Sequence, residues 1–326
     1  MVTKLKQLSV CPICGNQAFP EFSVPCDYRK PHNSPSYQIY WCPDCHYGQV
    51  WERPSPAQIA DFYQVEDYYT HEEKEANNQE SLSFLDRLRK HISWRLDGGE
   101  DLTPYDVKPL LTGNNLSICE IGCGNGGNLA KFLAEGFSVV GVEPDPTARE
   151  VAKRSVVNVF AGTAEELPEA VTNQQYDVVL MSHVLEHCLD INAAVANAKK
   201  VLRPGGIFLV ETPNCQSRGF KSYQGEWPWS DIPRHLNFFT PYSLQKILSK
   251  YGFEVEETKY SGFCRQFSNS WLKEEEVIWS AFDQASSQQN ERPNFKARAW
   301  KMLISSLLAK PADKYDSVRL IGVKKS

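Results

Sequence analysis

The chain is 326 residues long, 41% hydrophobic and 23% charged, with a formal net charge of −5. This composition excludes a disordered chain and suffices for one large core plus a smaller unit. The acidic balance argues against nucleic acid, whose affinity comes from Lys and Arg neutralising phosphates. No apolar run approaches the roughly 20 residues that span a bilayer, and the start MVTKLKQLSV lacks signal-peptide character. A cytoplasmic protein with no membrane partner is therefore expected, its oligomeric state open.

In a reducing compartment the ten cysteines are read as metal ligands or core before disulfides. Cys11-Pro-Ile-Cys14 and Cys42-Pro-Asp-Cys45 are two CxxC turns. Each aims two thiolates at one point, and together they make a closed tetrahedral set suited to structural zinc. Gly15 and Gly48 follow the two turns and are expected to relieve the backbone there; His46 and Cys26 are expected to be bystanders. Residues 1–50 are assigned to this zinc ribbon.

Residues 51–112 are expected to form a helical linker or lid. Ser55 can cap a helix starting at Pro56, with Ile59, Phe62 and Tyr63 on one face. Leu82, Leu85, Leu88 and Ile92 recur at helical spacing, which predicts a helix from Ser81 to Leu96 ended by Gly98-Gly99.

Beyond Thr112-Gly113-Asn114-Asn115 the texture changes. Short buried strands are predicted at 116–121, 138–142, 176–181 and 206–211, with helices around 129–135, 147–154 and 191–201 between them. This rhythm implies a parallel sheet covered on both faces. A helix at 244–251, a strand at 253–258 and a last strand at 317–323 complete a unit spanning 113–326, with 262–315 as a helical insertion.

The first strand ends in Glu120-Ile-Gly122-Cys-Gly124-Asn-Gly126 and a helix follows. Such glycines bring backbone close to a ligand at the carboxyl end of the strand. Glu143 ends the next strand, where a carboxylate accepts from both hydroxyls of a ribose. Alone, this is compatible with a dinucleotide site, although Glu-x-Gly-x-Gly-x-Gly differs from Gly-x-Gly-x-x-Gly.

The loop is accompanied by GVEPD, AGTAEELP, YDVVLMSHVLEH, LRPGGIFLVETPN and RHLNFFTPYSLQKIL, in that order across 115–258. The set resembles the class I S-adenosylmethionine-dependent methyltransferases. The resemblance implies an α/β fold with a doubly wound, mostly parallel seven-stranded Rossmann-like sheet, beside the small N-terminal zinc ribbon. It places Gly122, Gly124 and Gly126 around the methionine part of S-adenosylmethionine, with Glu120 beneath them and Glu143 on the ribose. Thr163, where many relatives carry Asp, and Ala164 would meet the adenine; Ser182 and His183 would border the sulfonium. The implied chemistry is SN2 methyl transfer.

His183, Glu186 and His187 share one face if the segment after the strand is helical. His235 follows the Trp-rich GEWPWSD loop, which can close over the same mouth. Three readings stand. The groups are structural; or His187 or His235 is a general base; or the four hold a second divalent metal that lowers the pKa of substrate hydroxyls. The last resembles the Glu-x-x-Glu-His plus distant His of small-RNA 2′-O-methyltransferases. The Glu-x-x-Glu-His part is also similar to that of the ubiquinone-biosynthesis O-methyltransferases. Here His183 stands in place of the first Glu. Phe238 and Phe239 are expected in the core, while Trp227, Trp229 and Tyr223 suit either core or a substrate pocket.

The whole layout resembles bacterial methyltransferases of sugar and natural-product pathways, which implies O-methylation of a small molecule or glycan. The alternatives are C- or N-methylation of a sugar nucleotide, RNA methylation with the ribbon as a dock, and a catalytically inactive assembly protein.

Overall fold

The computed structural model describes residues 9–32, 34–63, 83–156, 158–286 and 291–325. Strands β1 (Phe19–Val24), β2 (Tyr37–Cys42) and β3 (Tyr47–Trp51) come first, then helices α1 (Pro56–Phe62) and α2 (Phe84–Leu96). The alternating part runs β4 (Ser117–Ile121), α3 (Gly127–Ala134), β5 (Ser138–Val142), α4 (Pro146–Ala152), β6 (Val159–Phe160), α5 (Glu169–Thr172), β7 (Tyr176–Ser182), α6 (Ile191–Val201) and β8 (Leu202–Pro213). After α7 (Arg218–Tyr223) and β9 (Asn237–Phe238) come α8 (Pro241–Lys250) and β10 (Phe253–Ser261). Helices α9 (Asn269–Ala285), α10 (Phe295–Ser306) and α11 (Pro311–Lys314) precede the last strand, β11 (Ser317–Lys324).

Seven strands form one sheet in the order β10-β11-β8-β7-β4-β5-β6. Pairing is parallel from β8 to β6, and β11 runs antiparallel to both β8 and β10. Ile118, Cys119, Val178, Val179, Leu180, Phe208 and Leu209 are all fully buried, as expected for strands covered on both faces. The expected helix 191–201 appears with those bounds, and Ser55 caps α1 through a reciprocal bond pair with Gln58. The strand expected at 206–211 is longer, running Leu202–Pro213.

A second, four-stranded antiparallel sheet has the order β1-β2-β3-β9. Its last strand comes from residues 237–238, so the ribbon is joined to the loop that carries His235. Gly48 does not serve a turn: it is a strand residue whose added Cβ would lie 2.5 Å from the Trp41 ring. The positive φ after the second CxxC falls on His46 (φ 51), so that residue is part of the turn.

Helix α2 turns polar side chains inward. It buries Asp86, Arg89 and Ser93, while Leu85 and Leu88 are exposed; Leu82 lies outside the described residues. The cause is Arg89. Its guanidinium donates to the Phe267 carbonyl (3.1 Å), Asp86 Oδ1 (3.0 Å) and Asn269 Oδ1 (3.0 Å). Buried and fully paired, it turns the polar stripe inward. Between 262 and 315, α9 and α10 pack with Phe220, Trp227 and Phe238 into one apolar cluster beside the ribbon.

Candidate active site

The four cysteine sulfurs lie within 4.8 Å of one another, and Cys14 Sγ is 3.7 Å from Cys42 Sγ. A zinc tetrahedron with bonds of ~2.3 Å has edges of about 3.8 Å, so the donor set fits zinc. Cys11, Cys42 and Cys45 are buried and Cys14 is exposed. Cys26 is buried away from them, its thiol directed at the Ala281 carbonyl.

At the carboxyl end of β4 the chain turns through Gly122, Gly124 and Gly126, with φ of 72°, 52° and 80°. A Cβ at Gly122 would come 2.4 Å from Val184 Cγ2, whereas at Gly124 it would meet nothing within 4 Å. The Gly124 backbone therefore borders open space, as a close approach to a ligand requires. Glu143 is buried at the end of β5, where its oxygens accept from Gly124 N (2.8 Å) and Asp145 N (2.9 Å). Glu120 is buried below; one oxygen accepts from Asn128 Nδ2 (2.9 Å) and the other has no partner. Burial pushes the Glu120 carboxyl up to about 8. The unpartnered Glu120 oxygen and the open glycine backbone fit a hydrogen-bonding ligand.

Thr163 is exposed after β6, its Oγ1 accepting from Glu166 N (3.0 Å). Ala164 is buried beside it, its carbonyl accepting from Asn197 (3.0 Å). Ser182 ends β7 with Oγ 3.4 Å from Glu211 Oε2.

The segment after β7 is not an α-helix. Only Leu185–His187 makes a single 3₁₀ turn, and His183 stands outside it at φ 55°. The condition for a shared helical face is therefore not met, and Val184 packs against Gly122. His183 instead stacks on Trp229, ring centroids 5.0 Å apart, with Nδ1 3.2 Å from Glu186 Oε1. Burial lowers its pKa, but the hydrogen bond and charge of Glu186 outweigh this and raise it above the ordinary value.

His187 and His235 come together, rings edge to face at 4.6 Å. His235 Nδ1 donates to the Trp229 carbonyl at 2.7 Å. His187 Nδ1 lies 3.1 Å from the Arg234 carbonyl and 2.8 Å from the Tyr63 hydroxyl. With Nδ1 engaged, each ring presents Nε2 as an acceptor. Burial holds both histidines at about 4, so both are neutral at pH 7. Glu186, His187 and His235 offer ligand atoms within 4.8 Å of one another, and Glu186 Oε2 is buried without a partner. His183 is not in that group.

The ribbon side of the molecule holds these loops. Arg53 donates to the carbonyls of Leu236, Cys188 and Leu189 (2.7–2.9 Å). Asn237, which accepts from the Tyr47 hydroxyl, donates to the carbonyls of Leu185, Glu186 and Cys188. Arg234 bridges Asp27 and Asp231. Trp227 is buried in the core, while Trp229 is half-buried and donates to Asp316 (3.1 Å). Phe238 and Phe239 are core residues.

Sequence reasoning missed Tyr63 as a partner of His187, Arg53 as the loop anchor, and Asp316. It also missed Glu211, whose carboxylate is held by Ser261 and Arg319. Their partners lie 29 to 183 residues away, and no local spacing marks them.

A family profile described as a methyltransferase domain matches residues 71–258. The ubiquinone biosynthesis O-methyltransferase of Azorhizobium caulinodans is 34% identical over 166 residues, covering 47% of this chain and 64% of that protein. Its counterpart in Mesorhizobium japonicum is 36% identical over 177 residues, covering 50% and 67%. The chain thus spans less than two thirds of the Azorhizobium protein. Among solved structures, a putative methyltransferase from Bacillus halodurans aligns with a TM-score of 0.48 at 19% identity, over 68% of this chain and all of that one.

Proposed function

Because the chain belongs to the S-adenosylmethionine-dependent methyltransferase domain family, we propose that it methylates a hydroxyl oxygen of a small molecule or glycan at the mouth between the glycine loop and the His187–His235 pair. The oxygen acceptor is supported by relatives named as O-methyltransferases. S-adenosylmethionine supplies a methyl group already activated on a sulfonium.

The protein's part is then to hold and to position. Glu143 accepts from the ribose hydroxyls, and the Gly124 backbone gives room for the methionine portion. Glu120 offers its unpartnered oxygen beneath. Thr163 and Ala164 border the adenine, and Ser182 and His183 face the sulfonium. Zinc at Cys11, Cys14, Cys42 and Cys45 stabilises the ribbon, and the ribbon in turn anchors the histidine loops through β9 and Arg53.

The observation that carries the activation step is the Glu186 carboxylate, one of whose oxygens is buried without a partner, with ligand atoms of two neutral imidazoles within 4.8 Å. A histidine held near pH 4 is a weak base for a hydroxyl. Two Nε2 acceptors and a carboxylate form instead a two-histidine, one-carboxylate set for a divalent cation, and the Nδ1 bond of His235 to a backbone carbonyl is the support such ligands carry. A cation there lowers the pKa of a bound hydroxyl.

The test is calorimetric titration of zinc-loaded protein with Mn²⁺ or Co²⁺. One equivalent should bind, and Glu186→Gln and His235→Ala should weaken it by more than the roughly 10–100-fold that loss of an outer-shell partner costs. If the parent binds no further metal while His235→Ala loses about 10²–10⁴ in turnover, His235 is a general base and the metal reading fails.

A further inference from the structure

Among the described residues, half of the exposed large apolar side chains lie on two neighbouring helices. On α2 these are Phe84 (75% exposed), Leu85, Leu88 and Trp94 (63%). At the end of α10 they are Ile304 (62%), Leu307 and Leu308 (99%). The helices lie side by side. Lys296 at the start of α10 donates to Asp86 at the start of α2 (2.9 Å), and Lys314 at the end of α11 reaches the Leu96 carbonyl at the end of α2. Ile92, Leu96 and Trp300 anchor both helices on the same buried cluster.

The charges of this face run against the rest of the molecule. The chain holds 40 acidic and 35 basic residues, yet α2 carries Arg87, Arg89, Lys90 and Arg95 against Asp86 alone. Helix α10 carries Lys296, Arg298 and Lys301 with no acid, and Lys310 follows it. Asp86 is buried between Arg89 and Lys296. Among the described residues, Lys90, Arg95, Lys301 and Lys310 have no ion pair.

Exposed apolar side chains gathered on two adjoining helices mark an interaction site. An apolar crown with a cationic rim is the chemistry of a helix lying in a lipid interface, where Trp settles at the headgroup level and each Lys or Arg is attracted to anionic lipid. Among the described residues no helix is long and apolar enough to cross a membrane, so the contact is with the surface only. A second copy of the chain would set cation against cation.

We propose that the α2–α10 face docks on an anionic lipid bilayer, with Leu85, Leu88, Trp94, Ile304 and Leu308 entering the headgroup boundary and Lys90, Arg95, Lys301 and Lys310 meeting lipid phosphates. The groove lined by Lys90, Trp94 and Arg265 opens beside this face. Arg265 packs over Trp229 (4.9 Å), and Trp229 stacks on His183, so docking brings the outer end of this stack near the lipid surface.

The experiment is flotation of the full chain with phosphatidylcholine vesicles, with and without phosphatidylglycerol. The parent should bind the anionic vesicles at least about tenfold more tightly than the neutral ones, and high salt should reduce the binding. Trp94→Glu combined with Leu308→Glu should abolish it, while circular dichroism and S-adenosylmethionine affinity stay at parental values; Leu308→Phe, which keeps an apolar side chain there, should bind as the parent does. Absence of parental binding to anionic vesicles, or undiminished binding by the double variant, overturns the proposal. A parental dimer in analytical ultracentrifugation that becomes monomeric on Leu308→Glu overturns it in favour of self-association.

Discussion

Replacing Arg234 with Ala should unfold the join between the ribbon and the histidine loop. Its guanidinium makes two bonds to Asp27 (both 2.9 Å) and two to Asp231 (2.9 and 2.8 Å). Arg234, Asp27 and Asp231 are at most 5% exposed, so removing the cation strands two carboxylates in low dielectric. Burial alone would raise Asp231, and Arg234 more than reverses this, holding the carboxyl below its ordinary range. Breaking a buried pair by deleting one partner costs about 3–5 kcal/mol. Arg29, 3.4 Å from Asp231, remains as a partial partner, which favours the lower half of that range. Urea unfolding followed by tryptophan fluorescence measures the loss. Arg234→Lys should recover only part, since an ammonium cannot bond both carboxylates in the same fork geometry. Pairing Arg234→Met with Asp27→Asn should cost less than the two single changes added together. A loss below about 1 kcal/mol for Arg234→Ala, the range of exposed pairs, would show that water reaches this network.

Three other perturbations test the remaining parts. Cys42→Ser should release one equivalent of zinc and lower the apparent Tm, because metal binding at such a site is folding free energy; elemental analysis of never-chelated parent protein finding no zinc refutes the assignment. Glu143→Ala should weaken S-adenosylmethionine binding by roughly 1.5–3 kcal/mol, the range for hydrogen bonds to a charged group, and Gly124→Asp should abolish it by filling the open space beside the loop; parental affinity in Glu143→Ala, measured by calorimetry, removes the ribose contact. Burial raises Glu120 to about 8, so the folded state holds its proton longer than the unfolded one and stability from this group falls as pH rises from about 4.5 to 8. Glu120→Gln stays neutral and should gain in Tm relative to the parent between pH 6 and pH 8.5; a constant difference across that interval contradicts the raised pKa.

The sequence by itself determined the features that are local. Strands β4, β5 and β7 are short apolar runs between turn residues, and the helix at 191–201 is periodic throughout, so each was legible from a window of a dozen residues. The CxxC pairs and the glycine loop were legible for the same reason: two thiolates or a close backbone approach demand particular residues at fixed spacing. Tertiary structure decided what those pieces do to one another. Nothing in residues 1–50 announces that β3 would pair with Asn237–Phe238 and so carry the ribbon to the histidine loops. Arg53 and Asn237 act there through backbone carbonyls, acceptors that every residue possesses and that leave no signature in side-chain type. Tyr63 reaches His187 across 124 residues. The α2 helix shows the limit most clearly. Periodicity reveals that it has an apolar stripe and a polar one, but which stripe faces the core depended on Phe267 and Asn269, far along the chain, satisfying Arg89. Once they did, Leu85 and Leu88 were turned outward, and the molecule acquired the cationic, apolar face proposed to meet a membrane surface.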